Sequence, residues 1–321
     1  MGEKGKSVWE FILLGVSCSR PLQLFLFALV SSCYVAILLG NLLIVVTVWA
    51  DSRLLQFPMF FFLANLSFID MALGSVASPK MASDLLTQDK TISYGGCMAE
   101  IFFLHFLGGS EMFLLTLMAY DRYMAICNPL RYLASMSHQH CLRLVGACWA
   151  GGLIHSSTQL MLVVWLPFCG PNELDNFYCD VPQVVKLACT DTYIIELLVV
   201  ANSGLLSLFC FLILLSSYGI ILATLWGHFR EGGGKALSTC GSHLTVVSLI
   251  FVPCVFIYFR PFSTSPSDKM VSVFYIVVTP ALNPIIYTLR NREVKEAIWR
   301  LRKRCPFSWW TEKLSMRVEQ Q

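Results

Sequence analysis

Two carboxylates lie where carboxylates are expensive. Asp70 and Glu111 each fall deep inside an apolar stretch, Pro58 to Pro79 and Met98 to Tyr120, and an uncompensated charge at mid-membrane costs roughly 2.5–3.5 kcal/mol. The two stretches run in opposite directions, so both acids sit near the same depth. Two close carboxylates cannot both stay ionised without a counter-cation. Either they share a proton or they hold a small cation such as Na+, against the plainer alternative of two separately hydrogen-bonded, protonated acids. A third acid, Asp121, stands beside Arg122 in "MAYDRYMAICNPLRY", Met118 to Tyr132, about 16 Å past Glu111 at the helical rise. That places the pair at a membrane interface, where by itself it need only anchor a helix end. The histidines (His105, His138, His140, His155, His228, His243) are scattered; no convergent nucleophile or metal set argues for an enzyme.

Cysteine chemistry divides by compartment. Cys97 sits at the outer end of one apolar stretch, and Cys169, Cys179 and Cys189 share the single long connection, Pro167 to Thr192. In an oxidising compartment four thiols give two bridges, with three connectivities open. Cys33, Cys148, Cys210 and Cys254 read as small apolar packing residues. Cys305, beyond a basic segment, is either a palmitoylation site or a plain thiol.

The elements that must carry these groups are membrane helices. Of 321 residues, 56% are hydrophobic and 13% charged, against about 25% charged in a soluble domain. Seven stretches approach or exceed the ~20 residues needed to cross a bilayer: Leu22 to Ala50, Pro58 to Pro79, Met98 to Tyr120, Leu144 to Phe168, Leu197 to Trp226, Ala236 to Phe259 and Met270 to Leu289. An odd number puts the termini on opposite sides. With the N-terminus outside, 15 Lys and Arg fall on inner segments against 8 on outer ones, so the positive-inside bias selects that orientation. The expected fold is an all-α seven-transmembrane bundle forming one domain over 1–321, with an outer N-terminus (1–21), the helix bundle (22–289) and an inner helix and tail (290–321). "RNREVKEAIWRLRKR" has apolar residues at helical spacing among its charges and reads as a short amphipathic helix on the inner leaflet. The basic residues hug span ends, which argues against a nucleic-acid partner.

"VWEFILLGVSCS" is too short, and too acidic at Glu10, for a signal-peptide core, so the first span serves as an uncleaved anchor. No N-x-S/T sequon occurs in the first 20 residues, and Asn65 of "NLS" lies inside a span. Pro253 and Pro284 should kink their helices, and Gly232 to Gly234 should break the chain between the fifth and sixth spans.

Taken together, "EFILLG" at Glu10, "GN" at Gly40, "PMFFFLANLSFID" at Pro58, "MAYDRYMAIC" at Met118, "SY" at Ser217, "KALSTCGSH" at Lys235 and "PALNPIIYTLRN" at Pro280 resemble the olfactory (odorant) receptors of the tetrapod class II type. These belong to the rhodopsin-like G-protein-coupled receptors. The family usually has Tyr at Phe60, and "FVPC" at Phe251 stands where many members have Phe-Tyr-Gly. The resemblance implies an odorant receptor of the plasma membrane, in the cilia of olfactory neurons, that raises cyclic AMP through a stimulatory olfactory-type heterotrimeric G protein.

It also implies roles for particular residues. Asp121 holds Arg122 at rest, next to Tyr123, and movement of the sixth helix frees the arginine for the G protein. Tyr218 and Tyr287 restack near it, Asn283 and Pro284 form the flexible inner part of the seventh helix, and Lys235 and His243 belong to the inner sixth-helix motif. Asp70, Glu111 and Asn283 match the central polar cluster, a candidate site for a structural Na+; no cofactor is expected. Cys97 with Cys179 and Cys169 with Cys189 match the family's bridges. The ligand pocket is expected in the outer half of the bundle. His105, Gly108 and Gly109 would face it from the third helix, Asn202, Ser203 and Leu206 from the fifth, Phe251, Val255 and Tyr258 from the sixth, and Ile276 from the seventh. The two glycines are expected to leave room, and the lining to be mostly neutral and apolar, with no fixed cation or anion. That suits a small apolar ligand with at most one or two polar atoms. A transporter using the midplane acids would need inverted repeats or paired broken helices, and the sequence shows neither.

Overall fold

The computed structural model describes residues 9–15, 19–87, 89–227, 234–259 and 266–304. The side chains of Lys235 and Tyr258 are outside that description, as are Gly232, Gly233 and Cys305 entirely. Seven long helical elements cross the described region: α1 Arg20–Ala50, α2 Pro58–Thr87, α3 Tyr94–Cys127, α4 His138–Val164, α5 Tyr193–Gly227, α6 Gly234–Phe259, and α7, built from Pro266–Val273, a π-helical turn Phe274–Val278 and Thr279–Arg290. A shorter α8, Arg292–Arg304, follows. Six of these elements contain apolar stretches long enough to cross a membrane, and α6 contributes the apolar run His243–Phe256.

The helices overrun the apolar stretches because polar caps stop them, not the edge of the apolar run. Ser93 Oγ accepts the Gly96 N–H at 3.1 Å to start α3, and Ser137 Oγ accepts the His140 N–H at 3.4 Å to start α4. Pro79 does not end α2, as the apolar pattern suggested. The helix passes through it, and the following turns are held by the Lys80–Asp84 ion pair and by Thr87 Oγ1 donating to the Ser83 carbonyl at 2.9 Å. Pro129 follows the end of α3, where it cannot continue the helix.

Helix α3 runs through the middle of the bundle. Its approach to α4 depends on one glycine: a Cβ on Gly152 would stand 2.1 Å from Ser110 Oγ and 2.6 Å from the Phe106 carbonyl oxygen. Small residues allow such close backbone approach between membrane helices. The opposite pattern marks the lipid side, where α1 buries Val30, Ile37, Asn41, Ile44 and Val48 on one stripe and leaves Phe25 and Leu39 exposed. Intrahelical bonding satisfies the backbone there, so apolar side chains can face hydrocarbon.

At the outer end a three-stranded sheet closes the bundle in the order β2-β1-β3, where β1 is Glu10–Leu13, β2 Thr91–Ser93 and β3 Glu173–Leu174. The N-terminal "EFIL" is therefore the central strand, antiparallel to β2 and parallel to β3. Phe11 is fully buried and meets Phe168 edge-on at 5.7 Å, while Lys90 Nζ donates to the Leu14 carbonyl at 2.6 Å. Disulfides join Cys97 to Cys179 and Cys169 to Cys189, with Cα separations of 5.4 and 5.7 Å.

At the inner end, Arg300 of α8 reaches Asp51 between α1 and α2 through Nε at 3.0 Å and a terminal nitrogen at 2.8 Å. Burial alone would raise the Asp51 pKa, but the Arg300 hydrogen bond, the Arg53 N–H and both arginine charges outweigh it and hold the carboxyl below its ordinary value. Val294 and Ala297 bury the inner face of α8, and Trp299 stays exposed with Lys303 Nζ 3.5 Å above its ring.

Candidate functional site

Three polar layers stack along the bundle. The outermost is a cavity of about 80 Å3 beneath the long outer loop. His105, Gly108, Gly109, Ser203, Leu206 and Ile276 all stand on its wall. Asn202 is turned instead toward α4, its Nδ2 donating to the His155 carbonyl at 3.4 Å. Phe251 is fully buried against Phe211, ring centroids 6.0 Å apart, and is not on the wall. Cys254 takes the wall position of α6, and Val255 follows it by one residue, about 100° around the helix.

The glycines border the cavity and also admit neighbours. A Cβ on Gly108 would stand 3.1 Å from Tyr275 Oη, and one on Gly109 would stand 3.1 Å from His155 Cδ2. They let two polar side chains from other helices come in against α3.

Those partners, with Asp180, are what sequence reasoning missed. His155 enters from α4, Tyr275 from the π-helical turn of α7, and Asp180 from the loop residue after the Cys97–Cys179 bridge. Spacing gave one signal: Gly152 and His155 are three residues apart and share the α4 face that meets α3. The wall thus carries a carboxylate where none was expected. Burial pushes the Asp180 pKa up to about 6, the Val181 N–H drawing it partly back, so at neutral pH the group is mainly ionised.

The middle layer is the acid cluster. Asn283 Nδ2 donates to Asp70 Oδ2 at 3.0 Å, and Tyr275 Oη donates to Glu111 Oε2 at 3.4 Å. Asp70 and Glu111 are within hydrogen-bonding reach of each other. Asp70 Oδ1, Glu111 Oε1 and Asn283 Oδ1 are buried without a partner among the described residues. Three unpartnered oxygens fit a hard cation, which takes oxygen ligands; a proton shared by the carboxyls satisfies two of them equally well.

The inner layer is the Asp121–Arg122 pair. Asp121 is fully buried and accepts from Arg122 Nε at 2.9 Å, from a second guanidinium nitrogen, and from Tyr132 Oη at 2.8 Å. Burial first, and then the Asp121 charge, raise the Tyr132 pKa, keeping it a donor. Tyr218 Oη and His243 Nδ1 are hydrogen-bonded across α5 and α6. Tyr287 Oη and His243 Nε2 are buried with no partner among the described residues. Tyr123 is half-buried on a lipid-side groove of α3 and α5, and Pro284 lies against Gly40 of α1.

Comparison with known proteins points the same way. A family model described as olfactory receptor matches residues 30–304. Olfactory receptor 4Q3 of Homo sapiens is 66% identical over 94% of this chain and 96% of its own length. Olfactory receptor 4K14 of Homo sapiens is 56% identical over 92% of this chain and 96% of its own length. Squid rhodopsin, 17% identical, superposes with a TM-score of 0.70 over 92% of this chain and 87% of its own, a likeness of fold.

Proposed function

The chain belongs to the olfactory receptor family, whose members are multi-pass membrane receptors and not enzymes, and from that premise we propose that it binds a small, mostly apolar odorant in the outer cavity. Binding then activates a stimulatory olfactory-type heterotrimeric G protein and raises cyclic AMP, in the membrane of olfactory cilia. A dry cavity of roughly 150 Å3 accepts benzene, so a cavity of about 80 Å3 suits a ligand of very few heavy atoms.

The observation that carries this reading is the double position of Tyr275, on the cavity wall and hydrogen-bonded to Glu111. A ligand that displaces Tyr275 alters the acid cluster, which is bonded to Asn283 of α7. Further along α7, Tyr287 Oη has a hydrogen bond to gain, and Tyr218 and His243 stand between α5 and α6 beside the Asp121–Arg122 pair, the latch of the resting state. Opening of α6 would release Arg122 from Asp121 toward the G protein, with Tyr123 at the same rim and Lys235 in the inner sixth-helix motif. Pro284, which leaves one backbone carbonyl without its helical donor, lets the inner part of α7 move. If Na+ is bound, Asp70, Glu111 and Asn283 hold it, and its charge would favour the closed arrangement.

The test is a cyclic-AMP reporter read with an odorant panel on the wild type and on Arg122→Ala at matched surface density. The variant should lose its response. Full retention by the variant overturns the role given to the latch.

A further inference from the structure

The outer cavity sets a bare hydrogen-bond acceptor and a second imidazole face to face between α3 and α4. His105 Nδ1 lies 2.9 Å from the Ile101 carbonyl oxygen. A carbonyl can only accept, so Nδ1 holds the proton, which leaves Nε2 of a neutral imidazole as a bare acceptor. The His155 ring stands opposite, centroid to centroid 5.7 Å. His155 is 8% exposed, and its Nδ1 is buried with no partner among the described residues. Asp180 adds an acceptor-only carboxylate, and among the described residues no lysine or arginine appears on the wall. Ser203 Oγ already accepts from Gln159.

Ligand head groups can be sorted against this wall. An aldehyde, ketone, ester or ether brings only another acceptor and leaves His105 Nε2 without a donor. An ammonium brings only donors and would be drawn to Asp180. A hydroxyl brings both: its proton satisfies His105 Nε2, and its oxygen accepts from His155 Nε2–H, the ring nitrogen that, unlike Nδ1, is not closed off from the cavity. We propose that the cavity selects small alcohols, the hydroxyl bridging His105 and His155. This rests on reading the cavity as the odorant site. Gly109 is part of the device, because a side chain there would push His155 away from the bridge.

The experiment uses the full-length receptor and sets of matched ligands: linear, branched and cyclic small alcohols, each with its carbonyl, methyl ether and primary amine counterpart. The readout is the potency ratio within each set, which cancels differences in expression. Alcohols should be roughly tenfold or more stronger than their carbonyl and ether partners, the expected consequence of leaving a buried acceptor unpaired. His155→Phe and His105→Phe should reduce the ratio to near one, while His155→Gln, which keeps a donor and an acceptor, should preserve it. If His155→Phe fails to reach the surface, His105→Phe and His155→Gln carry the comparison. Equal potency of carbonyl and alcohol overturns the proposal, as does an unchanged ratio in both phenylalanine variants. Amines outperforming alcohols also overturn it, making Asp180 the recognising group. A receptor that keeps an Arg122-dependent basal signal but answers no alcohol overturns this inference alone; loss of that signal too counts against the receptor reading itself.

Discussion

Tyr275→Phe isolates the link between cavity and latch. The change removes one hydroxyl, keeps the ring that lines the cavity, and deletes the 3.4 Å hydrogen bond to Glu111 Oε2. That bond coexists here with the closed Asp121–Arg122 pair, so it belongs to the resting arrangement. Leaving a buried acceptor unpaired costs about 1–3 kcal/mol, and a bond this long belongs at the low end, about 1 kcal/mol. At about 1.4 kcal/mol per tenfold change, the rest-to-active ratio shifts by roughly fivefold. Where the active state is the minor one, basal signalling rises by nearly the same factor. The assay is ligand-free cyclic-AMP accumulation at several matched surface densities. A basal signal that is unchanged or lower at equal density refutes the idea that the resting state is stabilised through Tyr275.

Two further outcomes follow from the same geometry. Gly152→Ala places a methyl 2.1 Å from Ser110 Oγ and 2.6 Å from the Phe106 carbonyl oxygen, so α3 and α4 must part at an overpacking cost of about 1–3 kcal/mol. Thermal unfolding of the purified receptor should show a lower midpoint, and an unchanged one would mean that the contact is relieved elsewhere. Asp180, whose pKa rises from 3.8 to about 6, makes the folded receptor bind a proton that the unfolded chain does not. Stability from this group therefore falls as pH rises through that window. Asp180→Asn should raise the unfolding midpoint at pH 7 more than at pH 5, and an equal effect at both would exclude this origin.

Some of this was legible in the chain, and the reason differs from feature to feature. The acids were visible because a carboxylate inside an apolar run is conspicuous whatever surrounds it. The helix ends were misplaced because capping by Ser93 and Ser137, and the Lys80–Asp84 pair beyond Pro79, lie outside the apolar pattern. Spacing put Gly108 and Gly109 on an inner face, where they border the cavity, but it could not name the side chains that approach them from α4 and α7.

The sequence by itself determined the number and order of the spans, and which of them carry Asp70, Glu111 and the Asp121–Arg122 pair. Run length and the placement of charges are local properties, and the bilayer converts them directly into position. Residue reasoning also put four cysteines in the outer compartment, but resemblance alone matched them into pairs. Tertiary structure decided which side chains meet: Cys97 with Cys179, His105 with His155, Asp180 on the same cavity wall, and Tyr275, within the π-helical turn, on both the cavity wall and Glu111. A membrane helix is apolar toward its neighbours and toward lipid alike, so its hydrophobic pattern barely records which face turns inward. That rotation is set only when the helices pack.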